Sequence, residues 1–105
     1  MGNSEFVTLT DVAFKQIESS MEACSVDVDF FQAGTGVFEI EFDDGSQIIV
    51  NRHEITQEIW VAARSGGFHF YWDGKAWRDT KSGCELMTAL SDLISAQTGE
   101  PVVLR

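Results

Sequence analysis

Basic residues are nearly absent from the first 44 positions. Lys15 stands alone there against Glu5, Asp11, Glu18, Glu22, Asp27, Asp29, Glu39, Glu41, Asp43 and Asp44. Nine of the chain's ten net negative charges therefore fall in this stretch, while residues 45–105 carry seven acids and six bases. Phosphate backbones are bound by clustered Lys and Arg, so a nucleic-acid partner is excluded, and only an acidic mimic of nucleic acid stays open in that class. Cysteine is limited to Cys24 and Cys84, with no close pair and no CxxC, which reads as two reduced thiols in a reducing compartment. No long apolar run is present, so no membrane span is expected. The first twenty residues are amphipathic and acidic, the opposite of a signal or transit peptide. Position 6 is Phe6 where a myristoylation signal needs Ser or Thr. The expectation is a soluble, cytoplasmic protein.

Crowded like charges repel and destabilise a compact chain, so their concentration points to a cationic partner, a metal ion or a basic protein surface. With 105 residues, the chain is expected to form a single domain, 1–105, with one core and no staples. Its 44% hydrophobic and 11% aromatic residues are globular values, so the net charge of −10 does not signal disorder.

Residues 4–22 read as a helix. Ser4 is placed to cap it, and Phe6, Leu9, Ala13, Ile17 and Met21 form one apolar stripe. Asp11, Lys15, Glu18 and Glu22 fall on the opposite stripe, where Lys15 is positioned to pair with Asp11 and Glu18. From 26 to about 79 the period changes to two, with strands expected near 27–32, 36–43, 46–51, 57–64, 67–72 and 76–79. Asp44-Gly45 predicts a type I′ hairpin, and Gly34-Thr35-Gly36, Ser65-Gly66-Gly67 and Asp73-Gly74 predict further turns. A second helix is expected over 84–98, with Leu86, Leu90, Leu93 and Ile94 buried, Glu85 complementing the dipole, and Gly99 and Pro101 stopping it. Together these give an α+β two-layer α-β sandwich: an antiparallel five- or six-stranded sheet with two helices packed on one face.

Two constellations stand out. The first is an acidic ridge of Glu18 and Glu22 on the helix with Asp27 and Asp29 on the first strand, where Val28 and Phe30 alternate inward. Glu39 and Glu41 share the outer face of the next strand, where opposed like charges cost roughly 0.2–1 kcal/mol per pair. A solvated face is the plain alternative; as ligands, exposed oxygens suit hard cations held weakly and do not suit zinc. The second is a patch on the outer sheet face. With Phe68, Phe70 and Trp72 inward, His69 and Tyr71 face water; with Ile59 and Val61 inward, Glu58, Trp60, Ala62 and Arg64 face out; with Ile48 and Val50 inward, Asn51 faces out. Asn51, Trp60 and His69 then share one surface across three strands, and an outward Trp has the character of an interaction anchor. His53 and His69 have no nucleophile at a recognisable motif, and Cys84 belongs to the packing near a helix start. No catalytic residues are assigned.

The chain resembles the frataxin family in its bacterial CyaY form. The resemblance is carried by Asn3-Ser4-Glu5-Phe6 opening an acidic helix, and by the stretch from Asp44-Gly45-Ser46 through Asn51-Arg52. It continues in Ile59-Trp60-Val61-Ala62-Ala63 and Gly66-Gly67-Phe68-His69-Phe70, and in Asp73-Gly74, Trp77, Ser82-Gly83 and Gly99-Glu100. It implies the sandwich already derived and a non-enzymatic role in iron–sulfur cluster assembly. It also implies weak binding of iron (Fe2+/Fe3+) at the ridge and docking on the cysteine desulfurase and the scaffold machinery, as iron donor, as regulator, or both. By position the resemblance carries Glu18, Glu22, Asp27 and Asp29 over as metal-binding residues, and Asn51 and Trp60 as partner-binding residues. Glu58 and His69 join the latter set through their place on the outer face. The chain departs from the family where Ser19, Ser20, Ala23, Cys24 and Ser25 replace further carboxylates, in Glu58 where Gln is common, and in lacking a Pro near Ile55. A monomer is expected. The alternative from another class is a metal-independent acidic module that sequesters a basic protein partner.

Overall fold

The structure, a computed structural model, describes residues 1–24 and 27–105; Ser25 and Val26 lie outside the described residues. Two helices, α1 (Asn3–Ala23) and α2 (Leu86–Thr98), flank six strands: β1 (Asp29–Gly34), β2 (Val37–Glu41), β3 (Gln47–His53), β4 (Glu58–Ala63), β5 (Gly66–Trp72) and β6 (Trp77–Asp79). The strands form one sheet in chain order, each antiparallel to the next. This is the expected two-layer sandwich, with all six strands formed.

The core lies between the helices and one sheet face. Ile48, Val50, Ile59, Val61 and Phe70 from the strands meet Phe6, Ile17, Leu90 and Ile94 from the helices, all essentially without solvent contact. Phe6 packs edge-on against Trp77, with ring centroids 6.1 Å apart. Period-two alternation delivers the sheet's share of this core and leaves the odd positions of β3 and the even positions of β4 on the outer face.

Several local expectations are corrected. Helix α1 starts two residues earlier than a Ser4 cap allows: Gly2 is its N-cap, no side chain caps it, and the Phe6 N–H donates to the Gly2 carbonyl at 3.0 Å. Ser4 sits inside the first turn, where its carbonyl accepts the Thr8 hydroxyl at 3.0 Å. The buried stripe of α1 includes Thr10 and Phe14, while Leu9 is only half-buried. Lys15 does not take Asp11; the Arg52 guanidinium from β3 does. At Asp44-Gly45 only Gly45 has positive φ, at 85°. The Gly45 N–H donates to the Phe42 carbonyl (2.9 Å) and the Phe42 N–H to the Ser46 carbonyl (3.0 Å). That closes a three-residue loop, Asp43 to Gly45, with Gly45 as the left-handed residue of a bulge, in place of a type I′ turn.

Glu85 caps α2 directly, its carboxylate accepting the N–H groups of Met87 (3.0 Å) and Thr88 (3.3 Å), and Gly99 ends the helix in the left-handed conformation. The tail then returns along both helices. Val102 N–H donates to Ser95 Oγ and Leu104 N–H to Ser91 Oγ, each at 2.8 Å, and Ser20 Oγ of α1 donates to the Arg105 carbonyl. Val102 and Leu104 are buried by this return, which extends the core between α1 and α2.

Candidate partner and metal-binding surfaces

The acidic ridge follows the edge of the sheet. Glu22, Asp27 and Asp29 are exposed; Glu18 is half-buried beside a crevice lined by Asp11, Phe14, Lys15, Gln32 and Phe38. Asp27 precedes β1, whose pairing begins at Asp29. The strand register places Asp29 directly opposite Glu41 of β2, a like-charge pair that favours an added cation over bare water. Among the described residues, no three His, Cys, Asp or Glu side chains converge on one point in a way that could hold a metal ion. Among the described residues the ridge therefore offers at most pairs of carboxylates, suited to loose oxygen contacts with a hard cation.

The outer sheet face brings together the residues expected there. Asn51 of β3 is opposite Trp60 of β4, and Trp60 is opposite His69 of β5. Glu58 pairs across with Tyr71 on one side and His53 on the other. Trp60 is half-buried for a specific reason: His53 covers one face of its ring and His69 the other. The centroids are 3.7 Å and 4.2 Å away, and the rings lie 6° and 7° from parallel. The indole Nε1–H donates to Glu58 Oε1 at 2.9 Å, and His69 Nδ1 lies 3.9 Å from the same oxygen. His53 Nδ1 is 2.8 Å from the Thr56 hydroxyl.

His53 is the member of this site that sequence reasoning missed. Its parity with Asn51 already placed it on the outer face. What was not visible was the lean of Trp60 across the diagonal, a reach that long aromatic side chains have on a pleated sheet.

Two carboxylates elsewhere are held below their ordinary value of 3.8. Hydrogen bonds from the Ser46 hydroxyl and then its N–H depress Asp44, helped by Arg64; the N–H groups of Ala76 and then Lys75 depress Asp73, helped by Arg78. Both serve turns, and neither belongs to the ridge proper.

A frataxin-like domain matches residues 1–100. The chain belongs to the frataxin family. It is similar to the iron-sulfur cluster assembly protein CyaY of Dechloromonas aromatica, at 58% identity over 105 residues that cover all of both chains. It is also similar to the protein of that name from Cupriavidus metallidurans, at 45% identity over all of this chain and 97% of the relative. Among solved structures, frataxin from Psychromonas ingrahamii superposes with a TM-score of 0.93 at 32% identity, covering 100% of this chain and 99% of that one. The sandwich, with its six-stranded sheet and two helices, is thus the frataxin frame. Strand register places the Asn51–Trp60–His69 row on it and, of the ridge, Asp29 alone.

Proposed function

We propose that this frataxin-family chain takes part in iron–sulfur cluster assembly in the cytoplasm, with no turnover of its own. In this reading iron is cargo, held weakly by Glu18, Glu22, Asp27 and Asp29. The ridge and the outer sheet face, with Asn51, Glu58, Trp60 and His69, dock on the cysteine desulfurase and its scaffold partner. The observation that carries the reading is the full-length similarity, at 58% identity, to a protein named for iron-sulfur cluster assembly. The chemistry of the surface supports it. Carboxylates that are mostly exposed release a hard cation readily, which suits delivery or sensing better than storage. An acidic edge also speeds encounter with a basic groove in a salt-dependent way.

A second reading, a metal-independent acidic module that sequesters a basic partner, draws support from the absence of a three-ligand cluster among the described residues. Titration with ferrous iron separates the two. Paramagnetic broadening of amide NMR signals around Glu18, Glu22, Asp27 and Asp29 is the expected result. Broadening centred on His53 and His69, or none that saturates, would remove iron from the ridge.

A further inference from the structure

An outward Trp that serves as an anchor normally offers a ring face or its N–H to the partner. Trp60 offers neither in the free chain. Its two faces are taken by the imidazoles of His53 and His69, and its N–H by Glu58. These groups come from three neighbouring strands and sit on the open side of the sheet, where side chains can move without disturbing the core. We infer that the His53–Trp60–His69 stack is a proton-sensitive clamp that holds Trp60 closed and loosens as its imidazoles lose their protons.

The chemistry follows from the ring geometry. A neutral imidazole lying flat on the indole makes only a stacking contact. A protonated one is a cation over the π face of Trp, the aromatic ring best suited to that interaction. Imidazole in water changes charge near pH 6.5, inside the range a cell or a compartment visits. Charged groups of both signs lie around the stack. Glu58 shares one oxygen between the indole N–H and the vicinity of His69 Nδ1, and Glu54 follows His53 in the turn. Arg78 of β6 lies across Tyr71 from Glu58 but is engaged by Asp73 at 3.2 Å. Lys81 and Asp79 line the hollow beside His69, while Asn51 and Thr56 carry no charge. The consequence for docking rests on the proposed use of this face by a partner. To reach the face of Trp60, the partner has to part an imidazole from it, and that costs more when the imidazole is charged.

The isolated full chain provides the first test. The Trp60 indole N–H signal, assigned with Trp60→Phe, is followed by NMR from pH 5.5 to 8 together with the imidazole ring protons. The clamp predicts that the indole signal moves in step with the imidazoles, and that this step vanishes in His53→Gln/His69→Gln while the signals of Trp72 and Trp77 stay put. A flat indole signal, or a step that survives in the double variant, overturns it. The second test is affinity for purified cysteine desulfurase at pH 6 and pH 8. Relative to the double variant, the native chain should bind more weakly at pH 6, by about two- to fivefold per imidazole, and the gap should narrow at pH 8. An equal ratio at both pH values overturns the gating of docking. If the desulfurase binds neither protein at any pH, the partner reading fails, while the NMR titration still decides the clamp.

Discussion

Replacing Arg52 tests how the acidic helix is fastened to the sheet. Arg52 follows Ile48 and Val50 on the inward side of β3, yet its guanidinium is not lost in the core. Its side chain is 8% exposed, its Nε donates to the Thr10 hydroxyl at 2.7 Å, and its Nη2 pairs with the Asp11 carboxylate. The guanidinium carbon lies 5.7 Å from the centre of the Phe14 ring. All three partners belong to α1, so one side chain of β3 gathers a full turn of the helix. A hydrogen bond from a buried charged donor is worth about 1.5–3 kcal/mol. The ion pair, with Asp11 largely in water, adds only about 0.2–1 kcal/mol, and the contact with Phe14 about 0.5–1 kcal/mol. The Thr10 hydroxyl keeps its own bond to the Val7 carbonyl at 2.9 Å, so Arg52→Ala orphans no donor. The expected loss is about 2–4 kcal/mol, a fall in Tm of roughly 8–16 °C for a domain of this size. Arg52→Lys keeps the charge but not the fork that reaches Thr10 and Asp11 together, so it should recover less than half of the loss. Urea and thermal unfolding followed by circular dichroism give both numbers. An Arg52→Ala variant within about 0.5 kcal/mol of the native chain, or a Lys that restores it fully, would refute the account.

Other perturbations have distinct signatures. Trp60→Ala should cost about 1–2 kcal/mol, from two lost ring contacts, against the about 3–5 kcal/mol of a core aromatic; a loss in the core range on denaturant unfolding would show that the stack supports the fold. Asp73→Asn should lower stability at pH 7. Because the carboxyl of Asp73 is depressed in the folded chain, its contribution is present above the ordinary value of 3.8 and is lost as pH falls through the folded pKa, so the two proteins should converge in acid; a difference that persists at pH 2 contradicts this. Changing Glu18, Glu22, Asp27 and Asp29 together to Gln or Asn should raise stability by tenths of a kcal/mol at low salt, with the gain fading as salt is added, because it relieves exposed like-charge contacts such as that of Asp29 with Glu41. A less stable variant at low salt would make the acids structural.

The sheet was legible because period-two alternation runs through β2, β3, β4 and β5, and each strand's parity fixed which residues look outward. That parity also put Asn51, Trp60 and His69 in one row without any knowledge of register. It equally placed Arg52 inward, which was the available signal that an acid and a hydroxyl on α1 would have to receive it. The pairing of Lys15 with Asp11 failed on that point, since spacing along a helix cannot see a cation arriving from the sheet. The type I′ turn failed because Asp43 joins the loop, and loop length, more than the Asp-Gly pair, selects the turn. The stack on Trp60 was hidden because it depends on side-chain lean across a diagonal, which alternation does not encode. The ridge was visible as composition, but composition could not say that no three of its carboxylates converge among the described residues.

In the proposed function, the acidic ridge lets this chain act in iron–sulfur cluster assembly. Its decisive assay is the rate of cluster formation on a scaffold protein, supplied with cysteine desulfurase, cysteine and ferrous iron, as the chain is added. A saturable, concentration-dependent change in that rate is expected. That change should be lost when Glu18, Glu22, Asp27 and Asp29 are replaced by Gln or Asn, and weakened by added salt. A rate that stays the same at every concentration of the folded native chain, or a charge-neutralised variant that acts as well as the native one, would contradict it.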